Sequence, residues 1–418
     1  MTTTSPSPAP ARTGDPTGFP SGTVEPEYLL TEALGTDPAS ILAGVSDEDR
    51  VYWDRARTFV QDEVLPVIDG YWERGEYPLH LLRRLGELDL LRDGITVEGF
   101  APMSKMAAGL VNMEISRGDG SVATMIAVQG GLALRSVADC GSAAQRERWL
   151  PTIAKGTEYA AFALTEPTHG SDSVALETTA TRTDGGFLLN GEKKWIGNGS
   201  VGGVTVVWAR GDDGQVHGYL VPQDSPGYTA RKIEGKLALR AIWQAHIRLE
   251  DVFVPEDNVL PGARTFKDTA RVLLATRLGV AWSAVGHATA CYETAVQYAK
   301  QRKQFGRPLA ASQIVQERLA RMLSELATMQ LMVVQMTRLD EAGMLTPEQA
   351  SLVKYTCTRT ARGIASNARD LLGGNGILLE NRVARHLADI EAIHTYEGTE
   401  TMQALIIGRG ITGTSAFA

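Results

Sequence analysis

The sequence predicts a mainly α protein with a central β module, and three features carry that expectation. Apolar residues recur at helical spacing in the first and last thirds of the chain. Between them lie short β-branched and aromatic runs punctuated by Asn-Gly and Asp-Gly pairs. Helix-start signals, Ser46-Asp47-Glu48-Asp49 and Thr346-Pro347-Glu348-Gln349, stand ahead of two of the helical runs.

Residues 1–45 are rich in Thr, Ser, Pro and Gly and poor in apolar side chains, a composition that cannot offset the entropy of ordering. They are expected to form a flexible arm that orders only against a partner subunit. Arg12 is the one clear positive charge in the first half of this segment, a poor match to an organelle transit peptide. Residues 46–156 read as an N-terminal helical domain. Val51, Ala56, Phe59 and Val60 fall on one face, and turns are expected at Gly70, Gly75 and Gly118-Asp119-Gly120. Residues 157–262 read as the β module. Phe187-Leu188-Leu189 leads into Asn190-Gly191, a two-residue hairpin signal, and on to Lys194-Trp195-Ile196. A second hairpin runs from Val204 to Ala209, turns at Asp213-Gly214 and returns from Val216 to Val221. Ala245 to Val254, closed by Pro255, supplies a further strand.

Residues 263–418 are expected to be helical again. Val315, Leu319, Met322, Leu326, Met329, Val333 and Met336 alternate steps of four and three, the seam of a bundle, so the methionines are core rather than a ligand surface. Gly343 closes that helix. Thr346 caps the next one, with Pro347 at its first position and Gln349 completing the box.

Composition narrows the function. At 418 residues the chain is long for a single core. Its 43% hydrophobic and 22% charged content is ordinary for a globular protein. A net charge of -8 and the lack of a basic run argue against nucleic acid. Cys140, Cys291 and Cys357 form neither a disulfide framework nor a zinc spacing, and buried thiols in a reducing compartment are expected. No apolar stretch is expected to reach the ~18 residues of a membrane span, so no membrane insertion and a cytoplasmic location are expected. The glycine patterns of the common nucleotide cradles are missing, and the seven histidines show no metal spacing.

The chemistry concentrates in Tyr396-Glu397-Gly398-Thr399. There one carboxylate sits among Ile393, Met402, Leu405 and Ile406, with a helix expected just past it. A glutamate so placed has few partners and suits a general base, its pKa raised by desolvation and lowered by the positive end of a helix. Taken alone, the tetrapeptide reads more readily as an exposed loop glutamate beside a glycine. It follows four other signals in order. These are Leu164-Thr165-Glu166-Pro167 with Gly170-Ser171-Asp172, then Lys194-Trp195-Ile196-Gly197-Asn198, then Gln301-Arg302-Lys303-Gln304-Phe305-Gly306, then the run from Leu371 to Gly376.

Together and in this order, these motifs resemble the acyl-CoA dehydrogenase family, over roughly residues 48–417. Within the family the tail from Ala404 to Gly413 is most similar to the glutaryl-CoA dehydrogenase branch and to plant-type short-chain acyl-CoA oxidases. The resemblance implies an N-terminal helical domain, a middle β-barrel-like domain and a C-terminal four-helix bundle. It implies an FAD enzyme of acyl-CoA catabolism that converts an acyl-CoA thioester to the trans-2-enoyl-CoA. Glu397 would remove the α proton and flavin N5 would accept the hydride. A minority of members carry the base just before the helix arginine, here Arg277; that position is Thr276, which cannot serve. The enolate-like charge would be held by the backbone N–H of Glu397 and a ribityl hydroxyl.

By the same resemblance, Phe162, Leu164, Thr165 and Ser171 line the isoalloxazine ring, and Trp195 and Ile196 lie against it. For Trp195 the alternative is a strand tryptophan that is simply core. Arg302, Gln304 and Phe305 would hold the pyrophosphate and adenine across a subunit boundary, Arg302 through its rigid fork of donors. Gly373 and Gly374 would let backbone approach the adenosine, and Thr399 joins the cofactor set. Ser171, Ala123, Thr124, Val128, Arg277, Tyr396, Gly398 and Arg409 are the substrate-binding candidates. A homotetramer is expected, with electron-transfer flavoprotein as electron acceptor and no metal.

Two positions depart from the pattern. The glutaryl branch pairs the distal substrate carboxylate with an arginine where this chain has Ala123. Burying that carboxylate without a partner is costly, so a neutral short or branched acyl chain is expected, not glutaryl-CoA. Gly197 stands where dehydrogenases usually carry Thr or Ser near N5, as in the plant oxidases, and makes a short-chain acyl-CoA oxidase passing electrons to O2 the alternative. Flavin monooxygenases and nitroalkane oxidases of this fold generally lack a Glu in such a context. A scaffold that has lost its flavin would be colourless.

Overall fold

The computed structural model describes residues 36–416, so most of the expected arm, residues 1–35, lies outside the described residues. Its last part packs on the chain's own core, contrary to the expectation of order only against a partner. The Asp37 carboxylate accepts from the backbone N–H groups of Ile41 (2.8 Å) and Leu42 (2.7 Å). This starts a short turn at Ile41–Gly44 that buries Leu42 in the cluster holding Trp53 and Met106.

Helix α1, Asp47–Phe59, begins as its sequence dictates. The Ser46 hydroxyl accepts from the Asp49 N–H, and three carboxylates occupy the first turn, where the helix dipole favours them. Its buried stripe is Tyr52, Trp53, Ala56 and Phe59, whereas Val51, expected inside, is exposed. One residue back from Tyr52 is a rotation of about 100°, enough to leave the stripe. The turn expected at Gly70 falls earlier, after Val64, and Gly70 lies inside α2, Ile68–Arg74, which ends on left-handed Gly75. Helices α3 (Leu79–Glu87) and α4 (Lys105–Gly118) follow. At the expected Gly118-Asp119-Gly120 break, the Asp119 carboxylate accepts from the N–H groups of Ser121 and Val122 and starts α5, Gly120–Ile126. A π segment, Ala127–Leu134, joins α5 to α6, Arg135–Cys140, and α7 covers Ala143–Ala154. The run Gly120–Cys140 is long and apolar enough by composition to cross a membrane, which the sequence reading did not anticipate. Its most apolar stretch is 78% buried inside the protein, so that apolarity is spent on the core.

Seven strands form one sheet: β1 Ala160–Ala163, β2 Thr179–Thr183, β3 Gly186–Gly197, β4 Val204–Gly211, β5 Val216–Pro222, β6 Tyr228–Lys232 and β7 Gln244–Pro255. Their order is β1-β4-β2-β3-β7-β6, with β5 paired to β4. The β4–β5 hairpin and the β7 strand form where expected. The Asn190-Gly191 hairpin does not. Strand β3 runs straight through these residues as a bulge against β7, and the turn is made earlier, between Thr183 and Gly186. Asn190 is instead tied across the strands, donating to the Asp251 carboxylate and accepting from the Asp251 N–H, both at 2.9 Å. A second register shift, between Lys193 and Ile196, pushes Trp195 out of the pleat.

The last third is helical: α8 Phe266–Gln301, α9 Gln313–Glu341, α10 Pro347–Leu371, α11 Val383–Thr395 and α12 Glu400–Thr412. Met322, Leu326, Met329 and Val333 of the predicted seam are fully buried, with Leu319 and Met336 at its edge. Gly343 takes the left-handed conformation past α9, and Thr346 and Gln349 form the predicted capping box. The three cysteines are free and buried. Helices α4 and α10 both pack on α8, which brings residues of the first and last thirds to one place.

Candidate active site

Glu397 lies in the turn between α11 and α12. Tyr396 is extended, Glu397 (φ 54°) and Gly398 (φ 89°) are left-handed, and the Thr399 hydroxyl caps α12 by accepting from the Met402 N–H. A left-handed glutamate costs about 1–2 kcal/mol, so the turn must be held by its surroundings. The Lys354 ammonium, arriving from α10, donates to the carbonyls of both Tyr396 and Gly398. The Gln403 side-chain amide donates to the carbonyls of Glu397 and Gly398, both at 3.0 Å.

The carboxylate points back at α8. Its Oε2 accepts from the Thr276 hydroxyl at 2.6 Å, while Oε1 is buried and unpartnered. Burial raises the Glu397 pKa above the ordinary carboxylate value, and Thr276, Lys354 and Arg277 oppose that rise. Burial likewise pushes the Lys354 ammonium down. Arg277 donates to the Ser351 hydroxyl at 3.2 Å and lies partly buried near the same carboxylate. Among the described residues the Glu397 backbone N–H makes no hydrogen bond.

Beside this carboxylate is a cavity lined by Thr276, Gly279, Val280 and Ser283 of α8, Ala127 and Gly131 of the π segment, Asn112, Asp93, Tyr396 and Glu397. Of the substrate candidates, Tyr396 lines it, while Arg277 and Gly398 flank it. The Thr124 hydroxyl donates to the Gly120 carbonyl at 2.8 Å and also reaches Tyr396. Ala123 is packed in the apolar core. Val128 meets the end of β3, where a Cβ on Gly197 would come within 2.7 Å of its Cγ2. Arg409 is on α12, half exposed, 3.7 Å from Glu348.

The cofactor candidates fall in two groups. Phe162 and Leu164 are buried at the end of β1, Phe162 against Trp208. The Thr165 carbonyl accepts from the Lys194 N–H at 2.8 Å, tying that end to the bulge in β3. Trp195 on the bulge is left-handed and 54% exposed, so its indole is not core, whereas Ile196 points into the sheet core. Ser171 is in an exposed loop. Elsewhere, Arg302, Gln304 and Phe305 project into solvent where a small ribbon joins α8 to α9, with Phe305 wholly exposed. A Cβ on Gly373 or Gly374 would meet nothing within 4 Å. This second group is open on the side where a large ligand or another subunit would have to sit.

Two groups were not singled out from the sequence. One is Lys354, whose signal was a lysine on the buried face of an amphipathic helix, between Ala350 and Cys357. The other is the buried ion pair of Glu166 and Lys193 (2.8 Å), which anchors β1 to β3 next to Trp195. Burial raises the Glu166 pKa, but Lys193 and backbone donors outweigh it and bring it to about 2.

Comparison with known proteins agrees with this architecture. Models of the N-terminal, middle and C-terminal domains of acyl-CoA dehydrogenases match residues 46–157, 161–252 and 266–412. The mitochondrial short-chain specific acyl-CoA dehydrogenase of Rattus norvegicus is 32% identical over 84% of this chain and 87% of its own length. A crystal structure of glutaryl-CoA dehydrogenase from Mycobacterium smegmatis superposes with a TM-score of 0.88 at 42% identity, covering 90% of this chain and 98% of that one. A glutaryl-CoA dehydrogenase structure from the same organism in complex with FADH2 gives a TM-score of 0.88 at 37% identity, over 90% and 97%.

Proposed function

Because the chain belongs to the acyl-CoA dehydrogenase family of FAD-dependent oxidoreductases, we propose that it dehydrogenates a short or branched, uncharged acyl-CoA to the trans-2-enoyl-CoA with Glu397 as base. The observation that carries this reading is the state of the Glu397 carboxylate. One oxygen is fixed by Thr276, and the other is buried without a partner beside a cavity. The cavity is small, about 10 Å³, so an acyl chain reaching the free oxygen would have to widen it.

The residues present fit FAD. The exposed Trp195 indole beside Leu164 and Thr165 offers a flat apolar face, and Arg302, Gln304, Phe305, Gly373 and Gly374 would hold the pyrophosphate and adenosine of a neighbouring subunit's cofactor. When bound, FAD supplies the acceptor for the β hydride. The chain's own residues do the rest. Glu397 takes the α proton, and its raised pKa brings its basicity closer to the working range. The free backbone N–H of Glu397 is available to the thioester carbonyl oxygen as charge develops there. Lys354 and Gln403 hold the turn so that this N–H and the carboxylate keep one geometry. Ala123, embedded in apolar core, offers no counter-charge to a distal carboxylate, which argues against glutaryl-CoA.

The subunit-spanning cofactor site makes a homotetramer the state expected in solution, with electron-transfer flavoprotein as the physiological acceptor. Gly197 keeps open one alternative, a short-chain oxidase, because the family's dehydrogenases usually carry Thr or Ser at that position; here Val128 fills the space such a side chain would take. A single experiment addresses both readings. Purified yellow protein is mixed anaerobically with acyl-CoAs of graded length, and flavin bleaching is followed before and after O2 is admitted. Bleaching by a short or branched acyl-CoA with slow reoxidation supports the dehydrogenase. Fast reoxidation with peroxide release supports the oxidase. Bleaching by glutaryl-CoA alone would overturn the substrate assignment, and no bleaching at all would overturn the function.

A further inference from the structure

The cavity beside Glu397 ends on a polar wall that a plain hydrocarbon chain does not need. Asp93, from the loop between α3 and α4, lines it with Asn112 of α4 and Ser283 of α8. The Asp93 side chain is mostly buried, which raises its pKa, while Arg135 and Asn112 oppose the rise. Asn112 donates to Oδ1 at 3.0 Å, whereas Arg135 stands 3.6 Å from Oδ2, too far for a normal hydrogen bond. Oδ2 therefore retains acceptor capacity. Glycines border the small space in front of it. A Cβ on Gly131 would lie 3.3 Å from Asp93 Oδ2 and 3.4 Å from Thr276 Cγ2, and one on Gly279 would lie 3.5 Å from the Asn112 amide. Thr276 is the residue that holds the Glu397 carboxylate. The acceptor on Asp93 and the base on Glu397 thus line the same small cavity. Asp93 itself is left-handed (φ 51°), a conformation that places its side chain at some cost in backbone strain.

We propose that Asp93 is a specificity-determining residue whose Oδ2 accepts a hydrogen bond from a hydroxyl on the acyl chain, so that the preferred substrate is a hydroxyacyl-CoA with its hydroxyl at C4 or beyond. The proposal rests on the acyl-CoA dehydrogenase reading of the same site and narrows its substrate. A hydroxyl suits the wall better than a charged group for two reasons. Arg135 already balances Asp93, which leaves no net charge to pair with an amine, and a second carboxylate would meet both Asp93 and Glu397. A hydroxyl also donates and accepts, so it is matched to the carboxyl in either protonation state. The hydroxyl cannot be at C3, because that carbon must give up its hydride.

The test is the ratio of kcat/KM for 4-hydroxybutyryl-CoA over butyryl-CoA, and for 5-hydroxypentanoyl-CoA over pentanoyl-CoA, in the FAD-loaded protein and in two variants. Asp93→Gly removes the acceptor and suits the left-handed backbone. Asp93→Asn keeps shape and a weaker acceptor. The wild type is expected to favour the hydroxylated member of at least one pair by about tenfold or more, the scale of a hydrogen bond to a charged group. Asp93→Gly should bring that ratio to about one, and Asp93→Asn should lower it several-fold. A wild-type ratio near one in both pairs overturns the proposal while leaving dehydrogenation of plain chains intact. An unchanged ratio in either variant overturns it as well, so the result stands even if the glycine variant does not fold. If wild type turns over no acyl-CoA at all, the underlying function falls and this proposal falls with it.

Discussion

Glu397 is held by its neighbours in a way that separates its two oxygens, and each can be tested by a single substitution. Glu397→Gln keeps the shape of the turn and removes the base. Turnover is expected to fall by about 10²–10⁴-fold, with the flavin absorbance of the purified protein unchanged. Loss of flavin along with activity would mean a structural rather than a chemical role. Thr276 acts through the other oxygen, donating to Oε2 and lowering the glutamate's pKa against the effect of burial. Thr276→Val removes that donor, so the pKa should rise further. The base works only when ionised, hence the acid limb of the kcat/KM profile should move to higher pH, with the plateau at high pH less affected. A limb that stays in place would show that another group titrates. At this scale Glu397 stands out in the sequence as a lone carboxylate in apolar surroundings, and the fold buries it beside a cavity. Lys354 and Asp93 do not stand out in the sequence, because their contacts are with carbonyls and a cavity that only the fold brings to them.

At the scale of elements, the capping signals at Ser46 and Thr346 were legible because they act within one turn of the chain. The Asn190-Gly191 signal misled for the opposite reason. A local preference for a two-residue turn was overridden by the pairing of β3 with β7 along its whole length, which absorbs the two residues as a bulge. The end of that strand carries a further consequence. Val128 of the π segment occupies the space that any side chain at Gly197 would need. Gly197→Thr is therefore expected to lower the melting temperature or the flavin content. The double variant Gly197→Thr, Val128→Ala should recover most of the loss, since overpacking is relieved when the facing methyls are removed. Equal defects in the single and double variants would show that the clash is not the cause.

For the whole molecule, the alternation of helical, β and helical segments was readable from periodicity alone, while the packing of the first and last thirds on one another was not. That packing is long-range: Arg385 of α11 forms an ion pair with Asp119 at 2.6 Å, and Glu293 of α8 with Arg117 at 2.6 Å. No spacing in the sequence announces either pair. The exposed Arg302, Gln304 and Phe305 belong to this scale too, since the proposed cofactor role of this ribbon depends on a neighbouring subunit. If the proposed subunit association holds, Phe305→Ser is expected to weaken it and the retention of FAD together, seen by light scattering and by the ratio of flavin to protein absorbance. A variant that stays tetrameric and yellow would detach this ribbon from the cofactor site.

The lysine that reaches from α10 to the two carbonyls around Glu397 has a thermal consequence. It makes the working geometry of one turn depend on a helix that is remote in sequence, alongside the Arg359–Glu400 and Arg362–Glu391 pairs that join α10 to the helices flanking the turn. Warming that loosens α10 by a fraction of an ångström would release the turn while the rest of the bundle is still folded. The enzyme would then fall silent at a temperature below the one at which it melts.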